Sequence, residues 1–290
     1  NKTAMLKVVK GTGLGLLREH GKTALSRPIA SLSDEARFDQ SAPLIITKTN
    51  ASSPMHRSGY MDYIGVLRFD SDGNVIGETR FIGLFTSLAY LQRTSDTPLV
   101  SMKARTVLEN SGLKENRHAW KSLVHILETL PRDDVLQASS TELLEIATGV
   151  LDLQERQTVR LFIRRERFGR FFSCLVYIPR DQWNTENREK IQTILKRALK
   201  GKKLDFMIQL SDSALARLQV IIRPKSGAEP VPDVHELENK IINALRSWND
   251  DLTQILVQKH GEEIGLKFAR NIGNKFPAAY LEEVSPWVAA

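Results

Sequence analysis

A chain of 290 residues, 41% apolar and 26% charged, is long enough for two domains with real cores and has an ordinary globular composition, which excludes a disordered, collagen-like or rod-like chain. Its 41 Lys and Arg outnumber 34 Asp and Glu, a net charge of +7 that permits a polyanionic partner without requiring one. One cysteine, Cys174, cannot close an internal disulfide, which points to a reducing, cytoplasmic setting, and no stretch approaches the roughly 20 apolar residues of a membrane-spanning helix.

The opening Asn1-Lys2-Thr3-Ala4-Met5 has neither an initiator Met nor an apolar signal core and reads as a piece of a longer chain. Leu44 to Lys48 is a short β-rich run; Tyr63 to Phe69 and Val75 to Phe85 are longer ones, joined by Asp70-Ser71-Asp72-Gly73-Asn74 as a hairpin. Apolar residues fall on both faces of these arms, so both faces are expected to be at least partly covered. Helices follow: one after Thr97-Pro98 that stops at Gly112, one from about Glu115 to Thr129 that stops at Pro131, and one opened by the capping box Ser139-x-x-Glu142.

From Gln157 the texture changes. Val159 to Arg165 and Phe171 to Pro179 read as paired strands, followed by a helix capped at Thr185 and closed at Gly201. Leu204 to Leu210 and Leu215 to Ile222 are a second pair, and one long helix is expected from Asp233 to about Lys259. The order ββαββα is a circularly permuted ferredoxin-like unit, its last strand supplied from the front by Val159 to Arg165.

Few motifs carry chemistry. Gly11-Thr12-Gly13-Leu14-Gly15 has the wrong spacing and no acidic partner for a dinucleotide turn, and Gly21-Lys22-Thr23 lacks the first glycine of a P-loop, so no cofactor site is expected in this segment. Its six histidines (His20, His56, His118, His125, His235, His260) show no ligand pairing at i+3 or i+4, and no metal site is expected. Cys174 sits in a strand as a buried, inert thiol. Asn50-Ala51-Ser52 matches a glycosylation acceptor only formally. Arg160, Arg164, Arg165, Arg167 and Arg170 interleave with Phe162, Phe168, Phe171 and Phe172, the makings of an RNA-binding sheet; the order of Arg167-Phe168-Gly169-Arg170-Phe171 inverts the usual contact box, and solvated arginines over core aromatics are the plainer reading. The apolar seam Val234, Leu237, Ile241, Leu245, Trp248, Leu252, Ile255 is longer than a small sheet can cover, and its second half, Trp248, Leu252 and Ile255, is the candidate subunit contact.

Three strings resemble the large bacterial NAD-specific glutamate dehydrogenases: Met61-Asp62-Tyr63-Ile64-Gly65-Val66 with Gly83-Leu84-Phe85-Thr86-Ser87; Leu153 through Arg164-Arg165-Glu166-Arg167-Phe168-Gly169-Arg170-Phe171 to Asp181; and Phe276-Pro277-Ala278-Ala279-Tyr280. The resemblance implies an α+β chain from the non-catalytic amino-terminal region of such an enzyme, built of PAS-like and ACT-like modules and helical linkers. It divides as a leading segment 1–41, a PAS-like sheet 42–92, a helical linker 93–152, an ACT-like domain 153–260 and a helical tail 261–290 leading to a catalytic domain that is absent. It further implies that the whole enzyme uses NAD to convert glutamate to 2-oxoglutarate and ammonium, while this segment regulates or assembles it as a homo-oligomer. Trp183, in the stretch where ACT domains usually carry a glycine against their ligand, favours a scaffold over an amino-acid sensor.

Overall fold

The structure, a computed structural model, describes residues 9, 11–15, 43–53, 59–153, 156, 158–210, 213–225 and 230–290. Most of the leading segment 1–41, with Gly21-Lys22-Thr23, His20 and also His56, lies outside the described residues; Gly11 and Gly15 take positive φ in a turn where the Thr12 N–H meets the Val9 carbonyl at 3.3 Å.

The fold is α+β. Three strands, β1 (Leu44–Ser52), β2 (Tyr60–Phe69) and β3 (Val75–Gly83), form an antiparallel sheet in that order. The β2–β3 connection is the expected turn: Gly73 has φ +81° and the Asp70 N–H and Asn74 carbonyl close it at 3.0 Å. Face coverage is incomplete, because Ile45, Thr47 and Tyr63 are buried while Val66, Ile76 and Phe81 remain exposed.

A short α1 (Ser87–Leu91) leads into α2 (Pro98–Asn110), α3 (His118–Thr129), α4 (Arg132–Gln137) and α5 (Ser140–Leu153). Pro98 opens α2 at a position that needs no N–H, and Gly112 follows its end at φ +69°. Pro131 does end α3, but the chain turns at once into α4, a helix too short for periodicity to reveal. The capping box stands: the Glu142 carboxylate accepts from the Ser139 N–H at 2.7 Å, and Ser139 Oγ accepts from the Glu142 N–H at 3.2 Å.

The second sheet contains β4 (Arg160–Arg165), β5 (Phe172–Pro179), β6 (Gly201–Gln209) and β7 (Leu215–Pro224) in the antiparallel order β4-β5-β7-β6. With β5 counted first, this is the split βαβ order with the fourth strand moved to the front, as the sequence predicts. Between β5 and β6 lies α6 (Thr185–Ala198), whose cap is Asn184 and not Thr185: its side chain accepts from the Asn187 N–H at 2.8 Å. Lys200, at φ +50°, makes the reversal expected of Gly201, which instead begins β6.

The long helix expected from Asp233 is two helices, α7 (Val234–Leu245) and α8 (Trp248–His260). Ser247 breaks it, accepting from the Asp250 N–H at 3.2 Å while the Asp250 carboxylate accepts from the Ser247 N–H at 2.9 Å. An apolar seam that continues in step across this break hides it from a periodicity argument, whereas Ser-x-x-Asp at 247–250 signals it. Beyond lie α9 (Glu262–Ile272), α10 (Ala278–Glu283) and α11 (Pro286–Ala289). A Cβ on Gly265 would come within 2.6 Å of the Val257 backbone, so this glycine lets α8 and α9 pack backbone to backbone.

Candidate functional site: the junction of the two sheets and the helical layer

Every residue of β5 is buried, because its sheet is covered on both faces. On one face Cys174, Val176 and Ile178 meet Ile191 and Leu195 of α6 and Leu237 and Ile241 of α7. On the other, Phe162, Leu175, Tyr177 and Leu215 share a core with Val107, Leu123, Leu127, Val150 and their neighbours in α2 to α5. At Gly149 the approach is so close that a Cβ would lie 2.8 Å from the Phe162 ring.

Polar pairs are set into this second face. Arg164 donates to Asp134 Oδ1 at 2.9 Å, Gln219 donates to Asp134 Oδ2 at 2.7 Å, and the side chains of Arg164 and Asp134 are 6% and 5% exposed. Arg217 donates to the Thr129 carbonyl at 2.6 Å. Lys103 donates to the carbonyls of Leu136 and Ala138 at 2.7 and 2.6 Å, tying α2 to the end of α4. Burial, then the nearby Arg164 guanidinium, pulls the Lys103 pKa down to about 8.

The β4–β5 turn docks on the three-stranded sheet. Gly169, at φ +64°, reverses the chain so that the Glu166 carboxylate accepts from the backbone N–H of Phe168 and Arg170, from the Arg170 guanidinium at 2.8 Å and from Thr47 Oγ1 at 2.6 Å. Burial opposes the ionised form, but the Arg170 and Thr47 bonds outweigh it and hold the Glu166 carboxyl below the usual range. Nearby, the Arg223 guanidinium lies 3.5 Å over the Tyr60 ring and donates to Asn50 at 2.9 Å.

A third cluster joins the sheet to α4. Lys48 donates to Asp62 Oδ1 at 2.5 Å and lies 3.1 Å from Asp133, while the Tyr90 hydroxyl donates to Asp133 at 3.0 Å. Burial works against the Lys48 ammonium, yet Asp133 and Asp62 together hold its pKa above the ordinary lysine range. Burial also pushes the Tyr90 hydroxyl up to about 12. Lysine, tyrosine and two carboxylates would be a catalytic vocabulary in an open cleft; here each is spent on the others and on the Phe85 N–H, which donates to Asp62 at 2.6 Å.

Most of the interleaved arginines and aromatics are engaged within the protein. Phe162, Phe171 and Phe172 are buried, Arg164 belongs to Asp134, Arg170 to Glu166, and Arg160 lies 3.3 Å from Glu238, so three of the four rings of the stripe are not open to stacking by single-stranded RNA. Cys174 is fully buried and its thiol pKa is pushed far up by burial, then by Asp134. Among the described residues no group of three His, Cys, Asp or Glu is placed to hold a metal, and no helix is long and apolar enough to cross a membrane. Trp183 packs, half-buried, at the rim of the apolar core under α6.

The candidate contact residues all lie on α8. Trp248 packs edge-on against Phe276 and Tyr280, with ring centroids 5.1 and 6.3 Å away, and its indole N–H donates to the Val284 carbonyl at 2.7 Å. Leu252 is fully buried and Ile255 half-buried. The chain itself thus supplies packing partners for Trp248, from the tail string Phe276 to Tyr280, and buries Leu252.

A permuted ferredoxin-like sheet whose second face is seated on a helical layer defines the chain as an ACT-type module fused to a helical motif. The family described as "Glutamate dehydrogenase, ACT2 domain" matches residues 160–249, and "Glutamate dehydrogenase, helical motif 1" matches residues 97–156. The chain is 41% identical over 232 residues to the NAD-specific glutamate dehydrogenase of Halomonas elongata, covering 80% of this chain and 14% of that protein. It is 37% identical over 272 residues to that of Pseudomonas aeruginosa, covering 92% of this chain and 17% of that protein. The protein of the same name from Mycobacterium tuberculosis is 30% identical over 287 residues, 95% of this chain and 17% of that protein. Residues 97–156 and 160–249 thus belong to two glutamate dehydrogenase domain families, and the chain, homologous to NAD-specific glutamate dehydrogenases, spans less than a fifth of the length of these curated relatives.

Proposed function

We propose that this chain is a regulatory and assembly segment of an NAD-specific glutamate dehydrogenase, from the amino-terminal region of a cytoplasmic enzyme that converts L-glutamate, NAD and water to 2-oxoglutarate, ammonium and NADH. The segment holds neither cofactor nor catalytic residue in this reading; its partners are the enzyme's own catalytic domain and further copies of the chain. We divide it as above, into a sheet of residues 42–92, a helical linker 93–152, an ACT-like domain 153–260 and a helical tail.

The observation that carries the reading is the use of the ACT-like sheet. Both faces are covered by packing, and Glu166, Arg164 and Lys48 are held in ion pairs with Arg170, Asp134 and Asp62. A domain built this way transmits position and contact. Calorimetry of the 290-residue chain with NAD and with glutamate tests it. No heat of saturable NAD binding and no dehydrogenase activity are expected; micromolar NAD binding that disappears in Gly13→Val would overturn the reading.

A further inference from the structure

The helical layer holds a cavity that its packing onto the four-stranded sheet does not explain. Helices α2 and α3 both lean on α5, and between them, bordered by Thr94 and Ser95, lies a space of about 530 Å³. Protein interiors keep few voids larger than a water molecule, and this one falls within the roughly 300–1,000 Å³ of small-molecule sites. Its floor is apolar: Ala104 and Leu127 are buried, and Leu108, Leu113, Trp120 and Val124 are half-buried. The connecting loop is folded to contribute. Gly112 at φ +69° and Asn116 at φ +62° bracket Leu113 and Glu115, both of which line the space.

Charge decides what can enter. Glu109, Glu115 and Glu128 line the cavity together with the Arg105 guanidinium, while the neighbouring Lys114 and Arg117 do not line it, so carboxylates outnumber cations around the opening. Glu128 is fixed by the backbone, its two oxygens each 2.9 Å from the Thr94 N–H. Glu109 and Glu115 are exposed at the rim, and among the described residues neither they nor Arg105 make an ion pair, nor does the Trp120 indole N–H find an acceptor. We propose that this cavity binds an aromatic ammonium ion, an arylalkylamine, with its ring on the apolar floor against Trp120 and its ammonium beside Glu109 and Glu115. Anions such as dicarboxylates or dinucleotides are repelled by the same rim. The site is independent of the assembly reading above and stands or falls apart from it.

The probe is tryptamine, with indole-3-acetate as the same ring bearing the opposite charge, each titrated by calorimetry into the 290-residue chain at low salt. Tryptamine should bind saturably with a dissociation constant of about 1 mM or below, and about tenfold or more tighter than indole-3-acetate. Glu109→Gln combined with Glu115→Gln should bring the two probes within about threefold of each other, and so should about 1 M salt, which screens exposed charges. Ser101→Phe sets a ring into the cavity from the wall of α2, where the Ser101 hydroxyl bonds only its own helix, at the Pro98 carbonyl. It should abolish tryptamine binding with far-UV dichroism unchanged. If that ring disturbs the helix, the exposed Glu115→Lys carries the test, and should weaken tryptamine by about tenfold. Equal affinity for the two probes in the wild-type chain, or tryptamine binding that survives Ser101→Phe in a folded chain or ignores Glu115→Lys, would overturn the proposal. So would the absence of any saturable heat up to about 10 mM tryptamine.

Discussion

The two faces of the four-stranded sheet are held by different physics. Beneath α6 and α7 the contact is apolar except at the β4 edge, where Glu238 accepts from the Leu161 N–H at 2.8 Å, and Cys174, Val176, Ile178, Ile191, Leu195, Leu218 and Val220 are all fully buried. On the opposite face an equally buried apolar core is interrupted by Arg164–Asp134–Gln219, by Arg217 on the Thr129 carbonyl and by Lys103 on the end of α4. Apolar volume alone tolerates sliding, because Leu on Leu packs nearly as well one turn away. A buried charge tolerates none, since it must find its partner or pay its full desolvation. The helices that belong to the ACT-like unit are thus bound mainly by area, while the layer donated by the preceding module is bound by area and oriented by the buried Arg164–Asp134 pair and the hydrogen bonds around it.

The sharpest way to break the comparison is Asp134→Ala, which leaves the Arg164 guanidinium buried without its carboxylate and should cost about 3–5 kcal/mol. Replacing both, as Arg164→Met with Asp134→Leu, should recover most of that loss. If the double variant unfolds as readily as the single, chemical denaturation would show that the pair contributes net stability and not orientation alone. On the apolar face, Leu195→Ala should cost about 2–5 kcal/mol, with no partner substitution able to rescue it short of refilling the volume.

The smallest effect is one of pH. Lys103 titrates near 8 in the folded chain against an ordinary 10.5, so between these values the unfolded chain binds more protons. Stability should therefore rise as pH climbs from about 8 toward 10.5, by at most ~1.4 kcal/mol per pH unit, and should be flat in this respect below 8. Urea denaturation of Lys103→Met should lack that rise; an identical slope in both chains would assign it to another group.

The legible features of this fold are those whose cause is local. Asp70 to Asn74 could be read as a turn because Gly73 must take a positive φ, and Ser139 with Glu142 as a helix start because each satisfies the other's N–H. Misplaced elements share one trait, which is that two local signals competed. Asn184 and Thr185 are both good caps and the first prevailed; Ser247 with Asp250 broke a helix that the apolar seam would have continued.

Of the site, the residues were legible but their partners were not. Glu166 and Arg170 stand four apart around a glycine turn, yet Thr47 meets them from 119 positions away, and Asp134 meets Arg164 across 30. The arginine and phenylalanine stripe could equally have been a solvated binding face, because alternation along a strand tells which residues share a side and never what covers it. By itself the amino-acid sequence determined the strands, the longer helices of the linker and of the ACT-like unit and the permuted order of the second sheet, since these follow from backbone sterics and hydrogen bonds within a few residues. Only the tertiary structure decided that both faces of that sheet are closed, that α8 turns back onto its own tail, and that a cavity stays open between α2 and α3, because burial depends on what distant segments happen to bring to the same place.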